Sequence, residues 1–166
     1  NLILTAISND RPGIVSEISS VIIKHGGNIE DSRMIRLGSD FVITMLISVD
    51  PEQMKFLDIS LKSLNEYSIT TKFTESYNLN INTYQLDLTG ADNEGIINVL
   101  SRYLADKTIN ILEMDTYIST APMSGTELFN LFAKVSIPED IKDQEIQIDL
   151  KKISYKLGVN IDLKKI

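Results

Sequence analysis

The chain has 166 residues, of which 43% are hydrophobic and 23% charged, with a formal net charge of −7 and only four arginines, Arg11, Arg33, Arg36 and Arg102. Nucleic-acid binding sets cations against phosphate, so an acidic chain with no basic cluster argues against direct DNA or RNA contact. The lack of cysteine removes disulfides, thiol nucleophiles and cysteine-based zinc sites, no run approaches the roughly 18 apolar residues of a membrane span, and the start has no charged segment followed by an apolar core.

In chain order, Leu2 to Ser8 is a β-rich run, apolar on both faces as a central strand requires, and it stops at Asn9-Asp10-Arg11-Pro12-Gly13. From Ile14 the period lengthens. Ile14, Ile18, Val21 and Ile22 share one helical face and Ser16, Glu17, Ser20 and Lys24 the other, until Gly26-Gly27 ends the helix with a left-handed cap. Ile29 to Leu37 and Phe41 to Val49 form a hairpin about Gly38-Ser39-Asp40, with Phe41, Ile43, Met45, Ile47 and Val49 on one face. After Pro51, the spacing of Met54, Leu57, Leu61 and Leu64 gives a second amphipathic helix, and Ile69, Thr71 and Phe73 mark a closing strand.

The same order then recurs. Tyr84 to Thr89 reads as a strand, Ile96 to Lys107 as a helix, and Ile109 to Ile118 and Leu128 to Val135 as strands. A helix bearing Ile146, Leu150, Ile153 and Leu157 follows, and Val159, Ile161 and Leu163 alternate to the end. Asp10-Arg11-Pro12-Gly13-Ile14 is answered by Asp92-Asn93-Glu94-Gly95-Ile96, 82 positions later, and Asn28-Ile29 by Asn110-Ile111, each asparagine 15 residues beyond its glycine. A duplicated order of elements predicts a duplicated fold. The expectation is an α+β protein of two βαββαβ domains, residues 1–77 and 84–166, each with a four-stranded antiparallel sheet and its helices on one face, joined by a short polar linker at 78–83. Units of about 80 residues bury a limited core alone, so the halves should pack against each other or another chain, and a homo-oligomer is expected.

The turn chemistry suits binding more than catalysis. A strand that feeds a helix through a glycine presents main-chain N–H groups at the helix N-terminus, where a carboxylate is favoured by about 0.3–1 kcal/mol. Gly13 allows close approach, Asp10 could hold an ammonium group or cap the helix, and Asn28 offers both a donor and an acceptor. The plainer alternative makes Asp10 a cap, Pro12 an early helical residue, and Gly13 and Asn28 turn formers. The second turn replaces Arg11-Pro12 by Asn93-Glu94, and Glu94 should repel an incoming carboxylate, so the first turn should bind an amino acid better than the second. His25 suits a helix C-terminus. Glu30 and Asp31 are neighbours on a strand and should face opposite ways, and the methionines read as core fillers. Ser124-Gly125 lacks a nucleophile-elbow setting, so no catalytic residue, metal site or cofactor is expected.

The Asp-Arg-Pro-Gly-Ile turn, the helix after it, the Asn-Ile at the next strand and the βαββαβ order resemble an ACT domain, a small-molecule-sensing module, in two copies that cover nearly the whole chain. The loop Ser119 to Phe129 resembles that of the tandem-ACT glycine cleavage system transcriptional repressor family. The resemblance implies a cytoplasmic regulator that responds to glycine and acts through a DNA-binding activator protein without touching DNA. It also implies ligand contacts at Asp10, Arg11, Pro12, Gly13, Ile14, Asn28 and Ile29, and again at Asp92, Gly95, Ile96, Asn110 and Ile111. Two other readings stay open: a regulatory subunit of an amino-acid-metabolising enzyme, and a structural oligomerisation module.

Overall fold

The computed structural model describes residues 1–75, 82–91, 93–122 and 125–166. Two compact units emerge, Asn1–Asn78 and Leu79–Ile166. The first contains β1 (Leu2–Asn9), α1 (Ile14–Lys24), β2 (Asn28–Leu37), β3 (Asp40–Ser48), α2 (Pro51–Lys62) and β4 (Ser68–Phe73). The second contains β5 (Thr83–Ala91), α3 (Ile96–Asp106), β6 (Asn110–Thr120), β7 (Glu127–Ser136), α4 (Asp143–Leu157) and β8 (Val159–Lys165). The sheets run β2-β3-β1-β4 and β6-β7-β5-β8, and neighbouring strands pair antiparallel. Both are the βαββαβ arrangement that the sequence predicts.

Each unit has its own core. In the first, Leu2, Leu4 and Ala6 of β1 and Ile43, Met45 and Ile47 of β3 meet Ile14, Ile18 and Ile22 of α1 and Leu57 and Leu61 of α2. In the second, Leu86, Leu88, Leu131, Ala133 and Val135 meet Ile96, Leu100, Leu104, Ile146 and Leu150. The helix residues involved recur at steps of four, which is what confines burial to one stripe of each helix. Phe73 departs from the expected pattern. It lies on the helix side opposite Leu2 but is the last residue of an edge strand, and it stays exposed.

Local chemistry fixes the element ends. Gly26, at φ +70°, closes α1 with two hydrogen bonds, Gly26 N–H to Ile23 O at 2.9 Å and Gly27 N–H to Ile22 O at 2.9 Å, the double bond pattern of a left-handed helix cap. Asp50 caps α2 by accepting from Glu52 N–H at 2.9 Å, ahead of Pro51 in the first turn. The hairpin β2–β3 turns on Gly38 at φ +62°. Both β2 and β6 carry a bulge at the same place, where the register shifts between Ile29 and Asp31 and between Ile111 and Glu113. The residues expected to form the linker lie mostly outside the described residues, as do Met123 and Ser124 of the β6–β7 loop.

Candidate functional site: the two strand-to-helix turns

The turn between β1 and α1 is built on Gly13, the residue preceding α1, at φ +96° and ψ −13°. Gly95 does the same before α3 at φ +86° and ψ 3°. Side chains with a Cβ rarely adopt this conformation, so glycine is required at both positions. Neither helix has a side-chain cap hydrogen bond at its N-terminus. The first main-chain N–H groups of α1 and α3 are thus left at the positive end of the helix dipole. A Cβ built on Gly95 would meet nothing within 4 Å. One on Gly13 would meet only the ends of two side chains, Glu17 at 3.5 Å and Arg11 at 3.9 Å.

Asp10 is not the helix cap. Its carboxylate lies 3.3 Å from Arg36 Nε, and its N–H donates to Ser39 O at 3.0 Å, which ties the turn to the β2–β3 hairpin. Pro12 is exposed and precedes Gly13, so it is not an early helical residue. Arg11 is fully engaged. Its guanidinium grips Glu17 in two-pronged fashion at 2.6 and 2.7 Å, and also donates to Glu66 Oε2 at 2.7 Å and to Tyr67 Oη at 3.2 Å. Tyr67 in turn donates to Glu17 at 2.5 Å. The Arg11 hydrogen bonds, with that of Tyr67, hold the Glu17 carboxyl down at about 2, and the same Glu17 bond raises the Arg11 guanidinium. Burial, with its bond to Glu17, pushes Tyr67 up to about 12. These groups line a cleft of about 660 Å³ with Ser63, Leu64 and Asn65.

Arg11, the cation of the first turn, is therefore already matched by two carboxylates. In the second unit Asn93 takes the position of Arg11 and donates from Nδ2 to Leu157 O at 3.4 Å, at the end of α4. Both turns are clasped to the segment at or beyond the end of the second helix of their unit, once by an ion-pair cluster and once by an amide. Here a cleft of about 520 Å³ opens on the first turn of α3 itself, lined by Asn93, Glu94, Gly95, Ile97, Ser101 and Phe129, among others. Asp92 lies outside the described residues.

The remaining candidate residues are not gathered at the turns. Ile14 and Ile96 are buried in the two cores. Asn28 opens β2 opposite Ser48, and Ile47 beside it pairs with Leu2, whereas the turn leaves β1 at Asn9 opposite Asp40. Asn28 thus sits at the other end of the sheet from Gly13. The 11-residue α1 lies between them, a span of about 16 Å at 1.5 Å per residue. Asn110, opposite Ser136, bears the same relation to Gly95 in the second unit. Within one unit a small amino acid cannot touch both turn and asparagine. Asn28 instead donates to Glu30 at 3.0 Å, which also accepts from Ser48, and these bonds lower the Glu30 carboxyl. Ile29 and Ile111 pack against the cores. His25 does occupy the end of α1, where its Nε2 lies 2.9 Å from Ser60 Oγ.

Among the described residues no group of three or more His, Cys, Asp or Glu could hold a metal ion, and no helix is long and apolar enough to cross a membrane.

Two duplicated units with glycine turns at uncapped helix starts define the class. The family model of the ACT domain matches residues 1–74, so the first unit is an ACT domain, and the second unit repeats its order of elements. The chain is homologous to the glycine cleavage system transcriptional repressor of Escherichia coli (strain K12), being 49% identical over 47 residues; that stretch covers 28% of this chain and 25% of the repressor. The crystal structure of an unknown protein from Galdieria sulphuraria is 31% identical, covering 99% of this chain and 97% of that one with a TM-score of 0.86. The fold is shared as well with a candidate glycine cleavage system transcriptional repressor, at a TM-score of 0.71 and 21% identity over 99% of this chain and 96% of that one.

Proposed function

We propose that the protein is a non-catalytic, cytoplasmic sensor of a small amino acid, glycine foremost, that controls transcription through a DNA-binding partner protein. The observation that carries the ligand part is the pair of left-handed glycines, Gly13 and Gly95, at helix starts with no side-chain cap. Main-chain N–H groups at a helix start complement a carboxylate, and a glycine with no Cβ lets it come close. The ammonium group would be met by the carboxylates nearby, Asp10 at the first turn and Glu94 at the second. The glycine identity and the indirect action on transcription draw on homology to the Escherichia coli repressor. The net charge of −7 is consistent with acting through another protein instead of on DNA.

Ligand would act by favouring one of two arrangements of the protein, and it can do so only if it binds them unequally. Isothermal titration of the full chain with glycine, alongside the other proteinogenic amino acids, tests the reading. Saturable heat with glycine, reduced by Gly13→Val or Gly95→Val in variants that keep their circular dichroism, is the expected result. Absence of both heat and thermal shift with every amino acid would sink it.

A further inference from the structure

The sheet of the first unit is apolar on the face turned away from its helices, where the fold does not require it. Register places Ile3 and Ile7 of β1 beside Leu46 and Val42 of β3 on that face, with Ile35 and Leu37 of β2 next to them. Across the same span the second unit carries Gln85, Asp87 and Thr89 on β5 and Lys134 and Asn130 on β7, with Phe132 alone apolar, in the place of Thr44. An antiparallel sheet that turns one face to water ordinarily makes it polar, as the second unit does. In the first unit Ile7 is 41% exposed, Ile35 51% and Leu37 57%, and apolar side chains grouped in this way mark an interaction site.

We infer that this face receives a basic amphipathic helix of another protein, an inference that rests on the proposed action through a protein partner. Charge selects the occupant. Three acids lie on the face, Glu30, Asp31 and Asp40, against Arg33 and Lys72, and Asp31 pairs with Arg33 at 2.5 Å. Glu30, at the bulge of β2, accepts from Ser48 and Asn28, and those bonds hold its carboxyl below the usual range, so it stays ionised. The face is therefore net acidic on a chain that carries −7. That disfavours a second copy or an anionic lipid surface here and attracts a segment rich in lysine or arginine.

Shape agrees with a helix. β1 and β3 are neighbours, so Ile3, Ile7, Val42 and Leu46, with Thr5 and Thr44 between them, form a lane two strands wide. At about 4.8 Å per strand it is roughly 10 Å across, the width of one α-helix with its side chains. Helices already cover the other face of these strands, and an occupant here would complete a helix–sheet–helix sandwich. Asp40 stands at one end of the lane and Glu30 and Asp31 at the other, about eight residues of β3 apart, or roughly 26 Å at 3.3 Å per residue. A helix of about 18 residues has that length and would meet acids at both ends. Midway lies a hollow of about 260 Å³, lined by Ile3, Arg33, Thr44 and Leu46 among others, where a large apolar side chain can anchor. The whole face, four strands wide, presents roughly 500 Å² per partner, or about 1,000 Å² for the pair, the size of a weak contact that a ligand can switch.

The probe is a peptide of about 18 residues with leucine on one helical stripe and lysine elsewhere, beside the same peptide with glutamate for lysine. Methyl NMR of the full chain should show saturable shifts with the lysine peptide at Ile3, Ile7, Ile35, Val42 and Leu46, and binding of the glutamate peptide weaker by at least about tenfold. Ile35→Asn and Val42→Gln remove apolar surface without changing charge, and each should weaken the lysine peptide by about fivefold or more. Tyr117→Asn, at the β6 position of the second unit that corresponds to Ile35, should leave it unchanged. Asp40→Asn should weaken it and flatten its dependence on salt. No binding of the lysine peptide, equal binding of both peptides, shifts centred on another surface, or an affinity indifferent to Ile35→Asn would each overturn the inference. So would sedimentation velocity showing an assembly of the chain alone that Ile35→Asn dissociates, since a second copy would then hold this face. Glycine titration of the same protein reads the sensor separately. Heat with glycine and no docked peptide fails this inference alone, and a docked peptide with no heat from any amino acid fails the sensor alone.

Discussion

Gly90 is the position where the structure permits the least. It sits in β5 directly opposite Val159 of β8 and Phe129 of β7. A Cβ there would lie 2.5 Å from Val159 Cγ1 and 2.8 Å from both Val159 Cα and Cβ. Carbon atoms pack best at about 3.5–4.0 Å, so β8 must retreat by roughly 1 Å. Rotating Val159 relieves the Cγ1 contact and leaves the backbone one. Overpacking of this kind costs about 1–3 kcal/mol, offset by roughly 0.5–1 kcal/mol from the lower entropy of the unfolded alanine chain. The net for Gly90→Ala is a loss of about 1–2 kcal/mol. At about 4–8 °C per kcal/mol for a unit of this size, Tm should fall by roughly 4–16 °C. Thermal unfolding followed by circular dichroism measures it. The double variant with Val159→Ala should lose less than the sum of the two single changes, because they share one contact. A Tm for Gly90→Ala equal to or above that of the wild type refutes the reasoning.

Ser8, the corresponding residue of the first unit, has a buried hydroxyl with no hydrogen-bond partner, so Ser8→Ala should be neutral or stabilising by about 1 kcal/mol in urea denaturation. Glu17 titrates at about 2 when folded, below its ordinary 4.5. Its contribution is present above pH 4.5 and lost as pH falls toward 2, so the drop in urea midpoint between pH 7 and pH 3 should be smaller in Arg11→Met than in the wild type. Asp50→Ala removes the cap of α2 and should cost about 0.5–2 kcal/mol by the same assay, with Asp50→Ser recovering most of it.

Element order was legible in the sequence because burial is periodic. Ile14, Ile18 and Ile22 mark a helix and Ile43, Met45 and Ile47 a strand wherever the chain goes next, and the strain-tolerant glycines mark the turns between. The gathering of the site was less legible. The identical spacing of Gly13 to Asn28 and Gly95 to Asn110 reflects repetition of a whole unit, and a helix between two residues separates them by its length as surely as a fold can join them. The fate of Arg11 was also hidden, since its partners Glu66 and Tyr67 come from a segment more than fifty residues away. The bulges were invisible for a different reason: no glycine or proline announces them, and only pairing with β3 and β7 reveals the extra residue.

Those bulges bear on how the chain tolerates change in length. Across the bulge in β2, Ile29 and Asp31 oppose consecutive residues of β3, Ile47 and Leu46, so Glu30 is the spare residue. Shortening the chain by that one residue would leave Ile29 turned toward the helices and Asp31 away from them, as they are now. A single deletion elsewhere in the middle of β2 would reverse the sidedness of every residue between it and the nearer end of the strand. The start of β2, and of β6 by the same geometry, is accordingly a point where evolution can trim one codon without turning either barrier between core and solvent inside out.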